Sequence, residues 1–456
     1  MEIEQKDFIC LIIYYIIEIT VFQDMNEKNA GCRREASVLS DLLTHRKEKR
    51  MKIAGIIAEY HPFHNGHAWQ LAEVRRRGFD AVVCVMSTGV VQRGECELTP
   101  YPVRVKAALC AGADLVLALP APYAGKSAEG FAFAAVALLD ALGCVDTLCF
   151  GTETADETAL MRAARVLESP AFGGAMRAKL DSGMTAPQAR AEAAAELLGY
   201  EADFLKQPNH ILGVDYCRAL LKSSIKPLAL VRVGAAHDSA LQGRHEGVQY
   251  ASASHLRRLW QQQGVQALAP YVPQESISLY QQVQSDGLVR DDRAFSTALL
   301  SRLRAMTESD MAAVRLSGEG LSNRLYHAVQ KASNAEDLLR RLQTKRYPTA
   351  RLRRLMLDAA LGYSDDLPVL PPYLHVLGAG KAGFAVLKQA APRLPMGTSL
   401  AALSRQNEKC LAVARAHAAA VDFSSLCRSR PQPCGLAYTQ PLCKYPGDTL
   451  RDSKQE

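Results

Sequence analysis

From Met51 onward, short apolar runs alternate with stretches of helical period. KIAGIIAEY reads as a strand, and GHAWQLAEVRRRG as a helix closed by Gly78. FDAVVCVMS is a second strand, followed by the polar loop TGVVQRGECELTP. YPVRVKAALCAGA is helical, ADLVLALP a strand, SAEGFAFAAVALLDALG a long helix and VDTLCFG a further strand. After a helical stretch through residues 155–200, KPLALVRVG supplies another strand. Short strands alternating with helices predict an α/β fold, a parallel sheet covered on both faces. Right-handed crossovers make it a Rossmann-like, doubly wound sheet whose ligand crevice lies at the carboxyl ends of the strands.

Beyond about residue 270 the β signal fades, and residues 275–362 read as several helices rich in Leu, Arg and Ala. A short strand, YLHVLGAG, comes next. The resulting division is an extension over 1–50, an α/β domain over 51–270, a mainly helical region over 271–400 and a tail over 401–456. Past residue 425 the tail has scattered Pro, Ser and Cys and little periodicity, so it is expected to be partly disordered.

At 456 residues the chain is too long for one ordinary domain. Its 48% hydrophobic and 22% charged residues are those of a soluble globular protein. A net charge of +7 allows a polyanionic partner without requiring one. The twelve cysteines form no C-x-x-C pair. Cys84, Cys110, Cys144 and Cys149 lie in apolar runs, as reduced core residues of a cytoplasmic protein would. Residues 8–22 are apolar but interrupted by Glu18, and fall short of the roughly twenty residues a membrane span needs. Acidic residues precede them, which argues against a signal peptide. Met51 is therefore read as the start of the functional unit, with residues 1–50 as an extension or start-site artefact and a membrane anchor as the alternative.

Two phosphate motifs fail on inspection. AGKS at 124–127 resembles the end of a P-loop, but the required first glycine falls at Pro120. GAGKAG at 378–383 fits G-x-G-x-x-G, yet no acidic residue stands about twenty positions on, so a tight turn is the plainer reading. The spacing of Cys427, Cys434 and Cys443 matches no common zinc module, and no metal site is expected.

HPFHNGH at 61–67 is different. Pro62 disfavours helix at His61, so the chain turns as it leaves the strand. Gly66 allows tight packing or close approach to a ligand. His64 and His67 flank it, with His67 at the start of the next helix, where free N–H groups and a partial positive charge favour phosphate. Two imidazoles so placed can both donate to a phosphate and stabilise charge developing at phosphorus. The alternatives are a polar turn whose histidines merely cap the helix, and a zinc site, for which no third ligand is evident.

The segment resembles the HxGH signature of the nucleotidyltransferase superfamily shared with class I aminoacyl-tRNA synthetases. Their partner signature, a Ser-rich or Lys-rich turn opening a later helix, is matched by ASASHLRR at 251–258, with Ser252, Ser254 and Arg257. EYHPFHNGH, STGVVQRGE, GADLVLALPAPYAGKSAEGFA, CFGTE, QPNHILGVDY and KRYPTARLRRLML follow in the order of one family, over roughly residues 51–400. It is the tRNA(Met) cytidine acetate ligase family. The resemblance implies that ATP and acetate form acetyl-adenylate, and that the acetyl group passes to the wobble cytidine of elongator tRNA(Met). It makes 51–270 the ATP-binding catalytic domain and 271–400 the tRNA-binding region, with Mg²⁺ accompanying ATP. It implies neither membrane attachment nor a protein partner.

Carried over, the family's ATP contacts fall on Ile57, Ala58, Glu59, Tyr60, Pro62, Phe63, His64, Asn65, Gly66 and His67 in the 57–70 loop, and on Gly151, Asn209 and Arg232. His64, Gly66 and His67 would serve the α-phosphate, and Ser252, Ser254 and Arg257 the released pyrophosphate. The family usually has Asn where His61 and His210 stand. Arg93, beside Gln92 in VVQRGE, is expected near a carboxylate or phosphate.

From Arg340 to Arg354 the chain holds seven basic residues and no acidic one. Lys345, Arg346, Arg351, Arg353 and Arg354 are expected to offer a positive stripe to an RNA backbone. Two other readings share the fold: a small-molecule adenylyltransferase, which leaves the basic run unexplained, and an inactive RNA-binding relative, which leaves the intact HxGH unexplained.

Overall fold

The alternating segments assemble around one main sheet. Its strands are β1 (Ile53–Ala58), β2 (Ala81–Ser87), β3 (Leu115–Leu119), β4 (Thr147–Thr152), β5 (Lys226–Val231), β6 (Leu374–Ala379), β7 (Met396–Gly397) and β8 (Cys443–Lys444). This computed structural model describes residues 50–199, 202, 205, 207–233, 243–245, 247–318, 320–344 and 346–445. Of the expected N-terminal extension, only Arg50 is among them. Among the described residues, no helix is long and apolar enough to cross a membrane.

The spatial order is β7-β6-β3-β2-β1-β4-β5, with β8 also paired to β6. β1 to β5 are mutually parallel. Every residue of β2 and β3 is buried, which is why both read as unbroken apolar runs rather than alternating ones. The chain builds β1, β2 and β3 in one direction and then returns to lay β4 on the other side of β1. That reversal opens a crevice at the carboxyl ends of β1 and β4. β6, the strand expected at YLHVLGAG, joins β3 antiparallel. It arrives from the helical region rather than through a β-α-β crossover, so no handedness rule holds it parallel.

Helices α1 (Asn65–Arg76), α2 (Tyr101–Cys110), α3 (Ala128–Leu142) and α4 (Pro208–Leu220) pack against the sheet. Then come α5 (Ala253–Gln263), α6 (Asp292–Arg304), α7 (Thr349–Leu361) and α8 (Glu408–Leu426). The last three pack on one another, and their buried residues join those of the sheet in one apolar core. From Met51 the chain forms one compact unit. A smaller core, including Leu98, Leu256, Trp260, Leu268 and Tyr280, straddles the boundary expected near residue 270. Within 401–456, assigned from sequence to a partly disordered tail, α8 is a helix of 19 residues capped by Asn407. Its sequence is alanine-rich, so strong helix propensity comes with a weak apolar stripe that periodicity misses. Residues 446–456 lie outside the described residues. In GAGKAG, a Cβ on Gly383 would sit 2.0 Å from the Asp114 carbonyl oxygen, so that glycine serves close packing.

Candidate active site

The turn after β1 is fastened before its histidines are placed. Phe63 is fully buried, and the Tyr280 hydroxyl donates to its carbonyl at 3.0 Å. Asn65 Nδ2 donates to the carbonyls of Gln249, at 2.9 Å, and Pro270, at 3.2 Å. His64 is the N-cap of α1, its Nδ1 accepting from the Gly66 N–H at 3.1 Å. His67 Nδ1 accepts from the His64 N–H at 3.3 Å, closing a capping box built of two imidazoles. With Nδ1 used as an acceptor in both rings, each neutral imidazole carries its proton on Nε2. The rings stack with centroids 3.7 Å apart and planes 19° apart. A Cβ on Gly66 would lie 3.0 Å from His64 Cε1, so glycine lets the imidazole fold over the helix end.

Both histidines are held neutral. Burial and then the charge of Arg232 lower His64 to about 3. Burial, the neighbouring His64 and Arg232 push His67 well below the ordinary histidine range. The third imidazole has a different task. His61 Nε2 accepts from the Leu98 N–H at 2.8 Å, and its carbonyl accepts from Arg257 Nη1 at 2.8 Å.

His64, Gly66 and His67 open on a cleft of about 410 Å³ at the carboxyl ends of β1 and β4. Ile57, Ala58, Glu59, Tyr60, Gly151, Asn209 and Arg232 line it too, as do Ser252, Ser254 and Arg257 across from them in sequence. Ser252 caps α5, its Oγ accepting from the His255 N–H at 3.2 Å and lying 3.2 Å from Ser254 Oγ. Neither α1 nor α5 has an acidic residue in its first turn, so both amino ends keep their positive character. Asn209 donates through Nδ2 to Glu153 at 2.7 Å and accepts from Arg232 Nη1 at 3.1 Å. Burial lowers Arg232 and Arg257, both of which stay charged at neutral pH. Arg93 also lines the cleft, and the Gln92 N–H donates to Glu59 Oε1 at 2.6 Å. Burial raises the Glu59 carboxyl.

Pro62, Phe63 and Asn65 are not among the cleft-lining residues. The latter two act through the contacts that fasten the turn. The basic run divides. Lys345 lies outside the described residues. Arg346 and Arg351 stack on the Tyr347 ring at 5.5 and 5.0 Å. Arg353 Nη1 donates to Glu95 at 3.0 Å, and Arg354 Nη1 to the Gln92 carbonyl at 3.4 Å. Sequence reasoning missed Glu153, which receives Asn209 and stands 3.3 Å from His210 Nδ1. It lies in the CFGTE motif, and nothing local marks it as the organiser of a helix more than fifty residues away. Also missed was a buried network in which Glu97 receives Arg104, Arg428 and the Gly89 N–H.

An HxGH pair at the first helix of a parallel sheet, facing a capped serine turn, defines the class of HIGH nucleotidyl transferases. The family model described as HIGH Nucleotidyl Transferase matches residues 51–430. A tRNA(Met) cytidine acetate ligase of Caldanaerobacter subterraneus subsp. tengcongensis is 35% identical over 367 residues, spanning 77% of this chain and 89% of that protein. One from Clostridium perfringens is 34% identical, spanning 74% of this chain and 87% of the relative. The crystal structure of Thermotoga maritima TmcAL bound with alpha-thio ATP matches with a TM-score of 0.78 at 28% identity, over 86% of this chain and 100% of that one. The chain belongs to the tRNA(Met) cytidine acetate ligase family.

Proposed function

We propose that the protein activates acetate with ATP and transfers the acetyl group to the wobble cytidine of elongator tRNA(Met), forming N(4)-acetylcytidine in the cytoplasm. A carboxylate oxygen of acetate attacks the α-phosphorus, and pyrophosphate leaves. The cytidine N4 then attacks the carbonyl carbon of acetyl-adenylate, AMP leaves, and the amine gives up a proton. The observation that carries this reading is the pair of neutral imidazoles whose Nδ1 atoms accept backbone N–H groups. Their Nε2–H groups are donors for oxygens of the α-phosphate, where negative charge grows during attack; one such donor contributes about 10²–10³ in rate. Ser252, Ser254, Arg257 and the amino end of α5 suit the departing pyrophosphate. Asn209, Arg232 and Gly151 form the nucleotide side of the cleft.

Among the described residues, no cluster of three or more His, Cys, Asp or Glu could cage a metal. The cleft carboxylates are Glu59, which accepts the Gln92 N–H, and Glu95, which is clasped by Arg290 and Arg353. A Mg²⁺ ion would therefore be held mainly by the ATP phosphates and water. Such an ion supplies charge neutralisation on the phosphates.

The test uses ATP and labelled acetate, with and without elongator tRNA(Met). The expected products are acetyl-adenylate and pyrophosphate without RNA, and acetylated cytidine with it. Turnover of a nucleotide monophosphate in place of acetate would overturn the reading in favour of a small-molecule adenylyltransferase.

A further inference from the structure

The hairpin Val90–Val91/Glu95–Cys96 has a cavity on each side of it. Arg93 faces the cleft just described, and Gly94 faces a second groove of about 1320 Å³. Glu95 belongs to the wall of both. The groove runs between α6, the helix Ala335–Leu342 and α7. Its volume exceeds the roughly 300–1,000 Å³ of ordinary small-ligand pockets, which favours a segment of polymer.

The partition is rigidly seated. Gly94 has φ of +76°, and a Cβ there would stand 2.5 Å from the Arg354 nitrogen and 2.7 Å from the Arg353 carbonyl carbon. Glu95 is clasped by Arg290 at 3.2 Å and Arg353 at 3.0 Å. The groove and the cleft wall are thus parts of one body.

The groove's chemistry is mixed in a particular way. Five arginines line it, Arg290, Arg293, Arg304, Arg340 and Arg353, against three carboxylates, Glu95, Asp292 and Glu336. Glu95 and Asp292 pair with Arg290 and Arg353, which spends two cations on two carboxylates. Arg304 donates to the Ala332 carbonyl at 2.8 Å. Arg340, mostly exposed, pairs with Asp337 on its own helix, so an RNA phosphate would compete with Asp337 for it. The floor includes Phe295, Leu299, Leu339 and Met356. Cations above an apolar floor with one aromatic ring suit a single strand of RNA, its phosphates outward and its bases inward. A base presented to the cleft is splayed from its stack, and the groove across the partition offers its neighbours a place outside the cleft.

We propose that this groove binds the nucleotides flanking the reacting cytidine, holding the strand so that the target base crosses the 90–96 hairpin into the cleft. This rests on the function proposed above. It moves the RNA contact from the stripe expected over 345–354 to Arg293, Arg304 and Arg340 on the facing helices.

The test is photo-crosslinking of the full chain to an anticodon-arm RNA carrying 4-thiouridine on either side of the cytidine. Crosslinks are expected within 292–304 or 335–343, and not only within 345–354. Arg293→Ala combined with Arg340→Ala is expected to weaken RNA binding about tenfold and to lower the salt slope by about two. Arg165→Ala combined with Arg177→Ala, an equal loss of two charges at exposed positions of the helices Glu157–Leu167 and Pro170–Asp181, should change neither. Crosslinks confined to other segments, or unchanged binding in the double variant, would overturn the proposal. Binding and crosslinking need no chemistry, so they decide the groove even if the wild-type protein makes no acetyl-adenylate. That second result would count against the proposed function alone.

Discussion

The histidine turn at 61–67 and the basic run at 340–354 both stand out by composition, yet they obey different physics. In the turn, the placing of His64 and His67 follows from bonds within three residues, Gly66 N–H to His64 and His64 N–H to His67. Phe63, Asn65 and His61 take distant partners that fasten it. In the run, Arg346 and Arg351 stay local on the Tyr347 ring, but the roles of Arg353 and Arg354 are set by partners far away in sequence. Arg353 answers Glu95, and Arg354 answers the Gln92 carbonyl. Spacing therefore carries the geometry of the His64–His67 pair, whereas tertiary pairing redistributes Arg353 and Arg354.

The sharpest way to break this contrast is His67→Ala. Acetyl-adenylate formation should fall by about 10²–10³, because a donor to developing charge is lost, while RNA affinity changes little. A parallel loss of RNA binding would tie the two regions more closely than the geometry does. Gly66→Ala should cost roughly tenfold in the same assay, since misplacing reacting groups is expensive and the new methyl meets the His64 ring at 3.0 Å. Full activity would mean that the stacked pair is dispensable. In the basic run, Arg354→Ala should lower stability by about 1 kcal/mol, seen as a shifted denaturation midpoint, because the half-buried side chain donates to the Gln92 carbonyl of the hairpin. A variant as stable as the parent would return Arg354 to the solvent-facing stripe.

The remaining test is of stability against pH. His64 in the fold sits at about 3, against the ordinary value of 6.5. The unfolded chain therefore takes up a proton as pH falls below about 6.5, while the folded chain does not until about 3. The neutral ring's share of stability is present above 6.5 and is lost as pH drops through that window. His64→Gln should flatten this part of the unfolding profile. An unchanged slope would mean that the ring titrates normally in the fold.

How much was legible follows the same division. β2 and β3 were readable because strands buried on both faces are continuous apolar runs. His64, Gly66 and His67 were readable because a strand end, a glycine and a helix start fix their geometry locally. Gly151, Asn209 and Arg232 came only with the family resemblance, for each has an ordinary structural use. Glu153 escaped because its partners Asn209 and His210 lie on α4, brought near by topology. The long helix α8 escaped because alanine supplies propensity without an apolar stripe. The antiparallel entry of β6 escaped because strand direction leaves no mark in a six-residue run.

The central claim is that His64 and His67 are neutral donors through Nε2, with Nδ1 committed to the backbone. Nitrogen NMR of the ¹⁵N-histidine-labelled protein reads this directly. At pH 6 both residues should show a protonated Nε2 and an unprotonated Nδ1, unchanged on lowering the pH to 5. Two protonated nitrogens on either ring at pH 6, or a proton on Nδ1 alone, would contradict it.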